Sequence, residues 1–172
     1  MRAHRAAVFV LVAFPLGASP AAAQDARPVE VTPYVGLGLD GSTPVGTAVT
    51  FPLTPTLDLE MDVAYRRDAD INAFSTSASL LWSLPRIGQA RPYLAGGVGL
   101  TQYGAPLFSV SGVPVATQRR LTTTINAGAG VKMPMNDKLA MRTDARWIQS
   151  FGRQGTEQFR VSQGISFDMG KR

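Results

Sequence analysis

The chain has 172 residues, with 17 Lys and Arg against 12 Asp and Glu, a single histidine and no cysteine. That length suits one domain, and the missing cysteines exclude a disulfide-built scaffold. The Lys and Arg residues are scattered through the chain and form no patch with interleaved aromatics, so the positive balance does not argue for nucleic acid.

The chain opens M-R-A-H-R-A-A-V-F-V-L-V-A-F-P-L-G-A-S-P-A-A-A. Arg2 and Arg5 make a basic start, Ala6 to Leu16 an apolar run, and Ala21-Ala22-Ala23 a small-residue cleavage site. This pattern predicts a secretory signal peptide over 1–23, cut after Ala23. The apolar run is about half the roughly 20 residues a spanning helix needs, and Pro15 interrupts it. His4 would leave with the leader, and residues 24–172 would form a single domain. An exported chain without disulfides needs another way to hold together, and a closed sheet is one.

From there, alternation of apolar and small or polar residues recurs eight times, the period of a two-faced strand. Val29, Val31, Val35, Leu37 and Leu39 lie on one face of the first segment. Thr47, Val49, Phe51 and Leu53 mark the second, and L-D-L-E-M-D-V-A-Y-R-R at 57–67 is the third. Phe74, Thr76, Ala78, Leu80 and Trp82 mark the fourth; Leu94, Val98 and Leu100 the fifth. The sixth runs over 121–132, with Leu121, Ile125 and Val131 on its apolar face. The seventh carries Leu139, Met141, Ala145 and Trp147, and the eighth Phe159, Val161, Ile165, Phe167 and Met169. Each is about ten residues, the length of a tilted strand crossing a bilayer. No helical period competes with them. The connectors after even strands look turn-like, at 54–56, 85–90 and 134–138. Those after odd strands include the long stretch 105–118. An all-β, eight-stranded antiparallel up-and-down transmembrane barrel follows, with short periplasmic turns, external loops and both termini periplasmic.

Alternation alone also fits a soluble barrel with its apolar face inside. Three features decide against it. With odd strands running outward, Tyr65, Phe74, Trp147 and Phe159 fall at the external ends and Phe51, Trp82 and Phe167 at the periplasmic ends. Aliphatic residues lie between these two aromatic girdles. The opposite face is rich in Gly and Ser beside Tyr93, Arg142 and Arg146, which suits a crowded lumen. No strand centre places a charge on the apolar face, where Arg or Lys at the lipid midplane would cost about 2–4 kcal/mol. The acids of the third strand therefore point into the lumen.

R-P-Y-L-A-G-G-V-G-L at 91–100 and V-S-Q-G-I-S-F-D-M at 161–169 resemble strands of the small eight-stranded outer-membrane barrels, the outer-membrane protein A-like family. The resemblance covers nearly all of 28–170. It implies an integral outer-membrane protein in contact with lipid, lipopolysaccharide and the barrel-insertion machinery. Met169 stands where such barrels usually end on an aromatic residue. Relatives that tether the membrane to peptidoglycan carry a further periplasmic domain, and here the sequence ends at the barrel.

The lumen offers one constellation. Glu60 and Arg142 sit equally far into the third and seventh strands, as do Asp62 and Asp144, and Arg146 is one step further out. Those strands lie roughly opposite each other, within reach of an arginine. Buried charges must pair, so Glu60, Asp62, Asp144, Arg142 and Arg146 are expected in one network, with Lys132 near it. The family resemblance implies a similar ionic plug.

Other chemistry is thin. Without a histidine after residue 23, a Ser-His-acid mechanism has no base, and no transition-metal site is expected. No cofactor is expected. Asp68-Ala69-Asp70 reads as a solvated loop before a calcium ligand set. The glycine-rich segments continue as strand, where a dinucleotide fingerprint needs a helix. Leu107, Phe108, Val110, Val113 and Val115 make 105–118 more apolar than a solvated loop needs, and Arg119 and Arg120 follow at its rim. That segment is expected to extend two strands above the membrane and meet a surface partner. The leading expectation is a non-enzymatic outer-membrane barrel with a side-chain-plugged lumen, serving envelope integrity or surface interaction. A soluble periplasmic carrier of an apolar ligand and a narrow solute pore are the alternatives.

Overall fold

The structure, a computed structural model, describes residues 27–67, 72–110, 113–151 and 156–170, with the side chains of 105–119 left aside. The expected signal peptide and Asp68-Ala69-Asp70 lie outside those residues. Eight antiparallel strands close into a barrel in chain order. They are β1 (Glu30–Gly38), β2 (Val45–Pro52), β3 (Leu57–Arg67), β4 (Asn72–Ser83), β5 (Arg91–Val110), β6 (Val113–Pro134), β7 (Leu139–Phe151) and β8 (Glu157–Asp168). β8 returns to β1, with Val31 opposite Phe167 and Leu37 opposite Val161, so no sheet edge is left along the wall.

Alternation sets the two faces. Along β3, Asp58, Glu60, Asp62 and Ala64 are buried, while Met61, Val63 and Tyr65 face outward. Val98 (61 % exposed) and Ile165 (44 %) show the same outward aliphatic belt in β5 and β8. The buried side is polar: Thr32, Thr50, Ser79, Thr124, Asn126, Ser162 and Ser166 line it. Only Leu81, Tyr93 and Ala95 form an apolar cluster among the described residues, near one end. This is the reverse of a soluble protein, and it removes the apolar-ligand carrier: such a carrier needs a greasy interior.

The turns explain the terminus end, where β1 begins and β8 ends. Thr54 Oγ1 accepts from the Leu57 amide at 3.0 Å and Asn136 Oδ1 from the Lys138 and Leu139 amides at 2.9 Å, side-chain turns that reverse the chain in few residues. Gly88 holds φ +62° in the turn before β5, a conformation that favours glycine.

The connectors do not divide as expected. Loops 39–44, 68–71 and 152–156 span six, four and five residues, against four for turn 53–56 and seven for turn 84–90. Much of 105–118 is strand, the expected extension of two strands beyond the barrel: β5 and β6 stay paired until Val110 meets Val113. Register shifts at Pro106/Phe108 and Phe108/Ser109 break the two-residue period there, which hides the register of the extension from a pattern reading. β4 leaves β5 at Gly104 and β7 leaves β6 at Thr123, so this hairpin projects beyond its neighbours. Its end of the barrel is the loop end.

Candidate functional site

The charged side chains of the lumen come from strands on opposite walls. β3 supplies Glu60 and Asp62, and β7 supplies Arg142, Asp144 and Arg146, each on the inward set of its alternation. Arg142 crosses the lumen to pair with Glu60 Oε2, and Arg146 Nη2 reaches Glu60 Oε1 at 2.5 Å. Arg146 Nε donates to Asp144 Oδ1 at 2.7 Å and Arg142 Nη2 to Asp144 Oδ2 at 3.3 Å. Two guanidinium groups and two carboxylates thus make a closed ring of four ion pairs. Glu60 is 1 % exposed and Arg146 2 %, and buried charges of this kind persist only when paired and hydrogen-bonded.

Tyrosines complete the arrangement, and pattern reading had not placed them in it. Tyr93 of β5 donates to Asp144 Oδ2 at 2.6 Å and accepts from Arg142 Nε at 2.7 Å, with the Arg142 guanidinium 5.0 Å from its ring centroid. Tyr93 lies opposite Gly130 in the register, and a Cβ on Gly130 would collide with the phenol. A large residue facing a glycine across the ladder was the available signal.

Asp62 and Lys132 do not join this ring. Asp62 shares the depth of Asp144, but its Oδ2 accepts from Tyr34 at 2.5 Å. Arg160 of β8 donates to the same hydroxyl at 3.0 Å and covers the ring at 5.0 Å. Lys132 lies beside Arg142 in the β6–β7 register, a like charge, and its Nζ turns to Glu30 at 2.5 Å. Near it Arg27 pairs with Asp58 at 2.5 Å, making a second charged tier at the terminus end.

Open space lies on both sides of the ring, and a smaller recess adjoins it beside Tyr34 and Arg160. Towards the loop end is an open vestibule walled mostly by hydroxyl and amide side chains, with Asp62, Arg66, Arg146 and Arg160 also facing it. Towards the terminus end is a small recess beside Arg27, Glu30, Asp58 and Lys132. At the rim of the vestibule Arg66 meets Asp40 at 3.0 Å, and Asp40 Oδ1 accepts from the Ser42 hydroxyl at 2.6 Å. Burial alone would raise the Asp40 carboxyl; the Ser42 hydroxyl and amide, with Arg66, outweigh it and hold it below its usual value.

The aromatic residues sit where their spacing places them. Phe51, Trp82 and Phe167 face outward towards the terminus end. At the loop end Tyr65 stands opposite Phe74 and Trp147 opposite Phe159 as cross-strand pairs. Phe151, 52 % exposed, adds to that rim. Among the described residues no cluster of acids or histidines has metal-binding geometry.

No protein-family model and no curated protein sequence matches the chain. Solved structures do. The N-terminal β-barrel domain of Pseudomonas aeruginosa OprF superposes with a TM-score of 0.65 at 18 % identity, over 85 % of this chain and 100 % of that one. The chain has the fold of the small outer-membrane β-barrels. Neisserial surface protein A follows at TM-score 0.64 and 11 % identity, over 82 % of this chain and 94 % of its own. The outer-membrane enzyme PagL shares the fold at TM-score 0.52 and 12 % identity, over 81 % and 99 %. The fold therefore decides neither activity nor its absence.

Proposed function

We propose that the chain is a non-enzymatic barrel of the bacterial outer membrane whose lumen is closed by its own side chains. The ring of Glu60, Asp144, Arg142 and Arg146 carries this reading. It spans the lumen from β3 to β7 and ties each arginine to both carboxylates. A narrow solute pore would need a water column there. The carboxylates are held by arginines, and the described lumen has no histidine to act as a general base.

In this reading the terminus end faces the periplasm and the projecting β5–β6 hairpin faces out. The belt between the aromatic girdles meets lipid, and Tyr and Trp sit at the head-group level. Lipopolysaccharide and the barrel-insertion machinery are the partners that such a location brings. The hairpin over 105–118 offers backbone beyond the barrel wall to a surface partner. Envelope integrity or surface contact is then the task. Cell fractionation with an unboiled gel tests the location. The chain should partition with outer membranes and migrate anomalously until boiled, whereas recovery in the detergent-free periplasmic fraction overturns it.

A further inference from the structure

The lumen contains the same tyrosine unit twice, half a turn of the barrel apart. Tyr93 on β5 lies over Gly130 of β6 and donates to Asp144 on β7; Tyr34 on β1 lies over Gly46 of β2 and donates to Asp62 on β3. Each ring carries a guanidinium at 5.0 Å, Arg142 on Tyr93 and Arg160 on Tyr34. The two units differ in one respect. Arg142 has Glu60 and Asp144 as ion-pair partners. Arg160 has no carboxylate within ion-pair distance among the described residues, although it is 6 % exposed, and its buried Nε has no hydrogen-bond partner. Asp62 offsets its charge across the Tyr34 hydroxyl, but Arg160 lacks the second, direct carboxylate that Glu60 gives Arg142, and an unsatisfied buried donor is costly.

Arg160 lines the vestibule, and among the described residues its tethers are one hydrogen bond to Tyr34 and that ring's face, with the Asp62 carboxylate on the other side of the Tyr34 hydroxyl. Ser75, Ser77, Thr101, Thr124, Ser150 and Gln158 make the surrounding wall, and each can exchange hydrogen bonds with a hydroxylated guest. We propose that the vestibule binds a small polar carboxylate, a hydroxy acid or sugar acid. Its carboxylate takes on Arg160 the place Glu60 takes on Arg142, and its hydroxyls meet the Ser and Thr wall. A planar two-oxygen acceptor matches the guanidinium fork. The ring below makes the site a dead end, so the guest binds without crossing.

Calorimetric titration of the detergent-folded full chain with D-gluconate, and with D-glucose as the uncharged control, tests this. Saturable gluconate binding, absent with glucose and weakened at least tenfold by Arg160→Gln, is expected. Gluconate that fails to bind, glucose that binds equally, or an Arg160→Gln chain that binds like wild type overturns the proposal. If Arg160→Gln does not fold by gel migration, Thr124→Leu reads the same site. Its added bulk should abolish binding, and undiminished affinity overturns the idea. The titration does not depend on conductance, so it stands or falls apart from the closed-lumen reading.

Discussion

Glu60→Ala removes the acceptor shared by both arginines of the lumen ring. Glu60 is 1 % exposed, bonds Arg142 and Arg146, and accepts from Thr50 at 3.4 Å. Taking one partner from a buried pair costs about 3–5 kcal/mol, because the remaining charge stays buried. Asp144 still holds Arg146 at 2.7 Å and Arg142 at 3.3 Å, which places the expected loss near 3 kcal/mol. Arg142→Met alone should cost a similar amount. The double variant should cost less than the sum by about 1–3 kcal/mol, since each change removes the other's stranded charge. Trp82 and Trp147 both lie on the outward face, so their fluorescence reports departure from lipid during urea unfolding in phospholipid vesicles. A loss below about 1 kcal/mol for Glu60→Ala, or additivity within about 0.5 kcal/mol, refutes the ring as a coupled unit.

Val98 lies mid-strand on the outward belt at 61 % exposure, so Val98→Arg should destabilise vesicle-folded protein by about 2–4 kcal/mol; a neutral result removes the lipid-facing assignment. At the vestibule rim the Asp40 carboxyl titrates below its unfolded value. Its contribution is therefore present at neutral pH and lost as pH falls through the carboxylate range. Protection of loop 39–44 in hydrogen exchange should fall with pH in wild type and be pH-independent in Asp40→Asn. Protease added to whole cells should cut near Arg119 and Arg120; cutting confined to the Arg86–Arg91 turn inverts the proposed orientation.

Strand β3 shows how much of the fold was legible. Its period of two fixes which residues face inward, and a one-residue slip would have turned every acid to lipid. Counting residues from the strand start also gave the shared depth of Glu60 and Arg142. Side-chain reach is not written in that count. Asp62 lies at the depth of Asp144, yet the Tyr34 hydroxyl on β1, itself held by Arg160 of β8, engages it first. Lys132 lies one strand from Arg142 and is turned by that like charge towards Glu30. The β5–β6 extension over 105–118 was legible in its apolar residues, but its register was not, because bulges disrupt alternation there. Exposure of the aromatic girdles followed directly from face and position, since a residue at the end of an outward face has one place to be.

Planar-bilayer conductance of the refolded chain tests the closed lumen most directly. Wild type should be nearly silent, and Glu60→Ala or Arg142→Ala should each produce small, frequent openings as the ring loses a member. Steady large conductance in wild type, or no change in conductance from either substitution, would contradict a lumen closed by these four side chains.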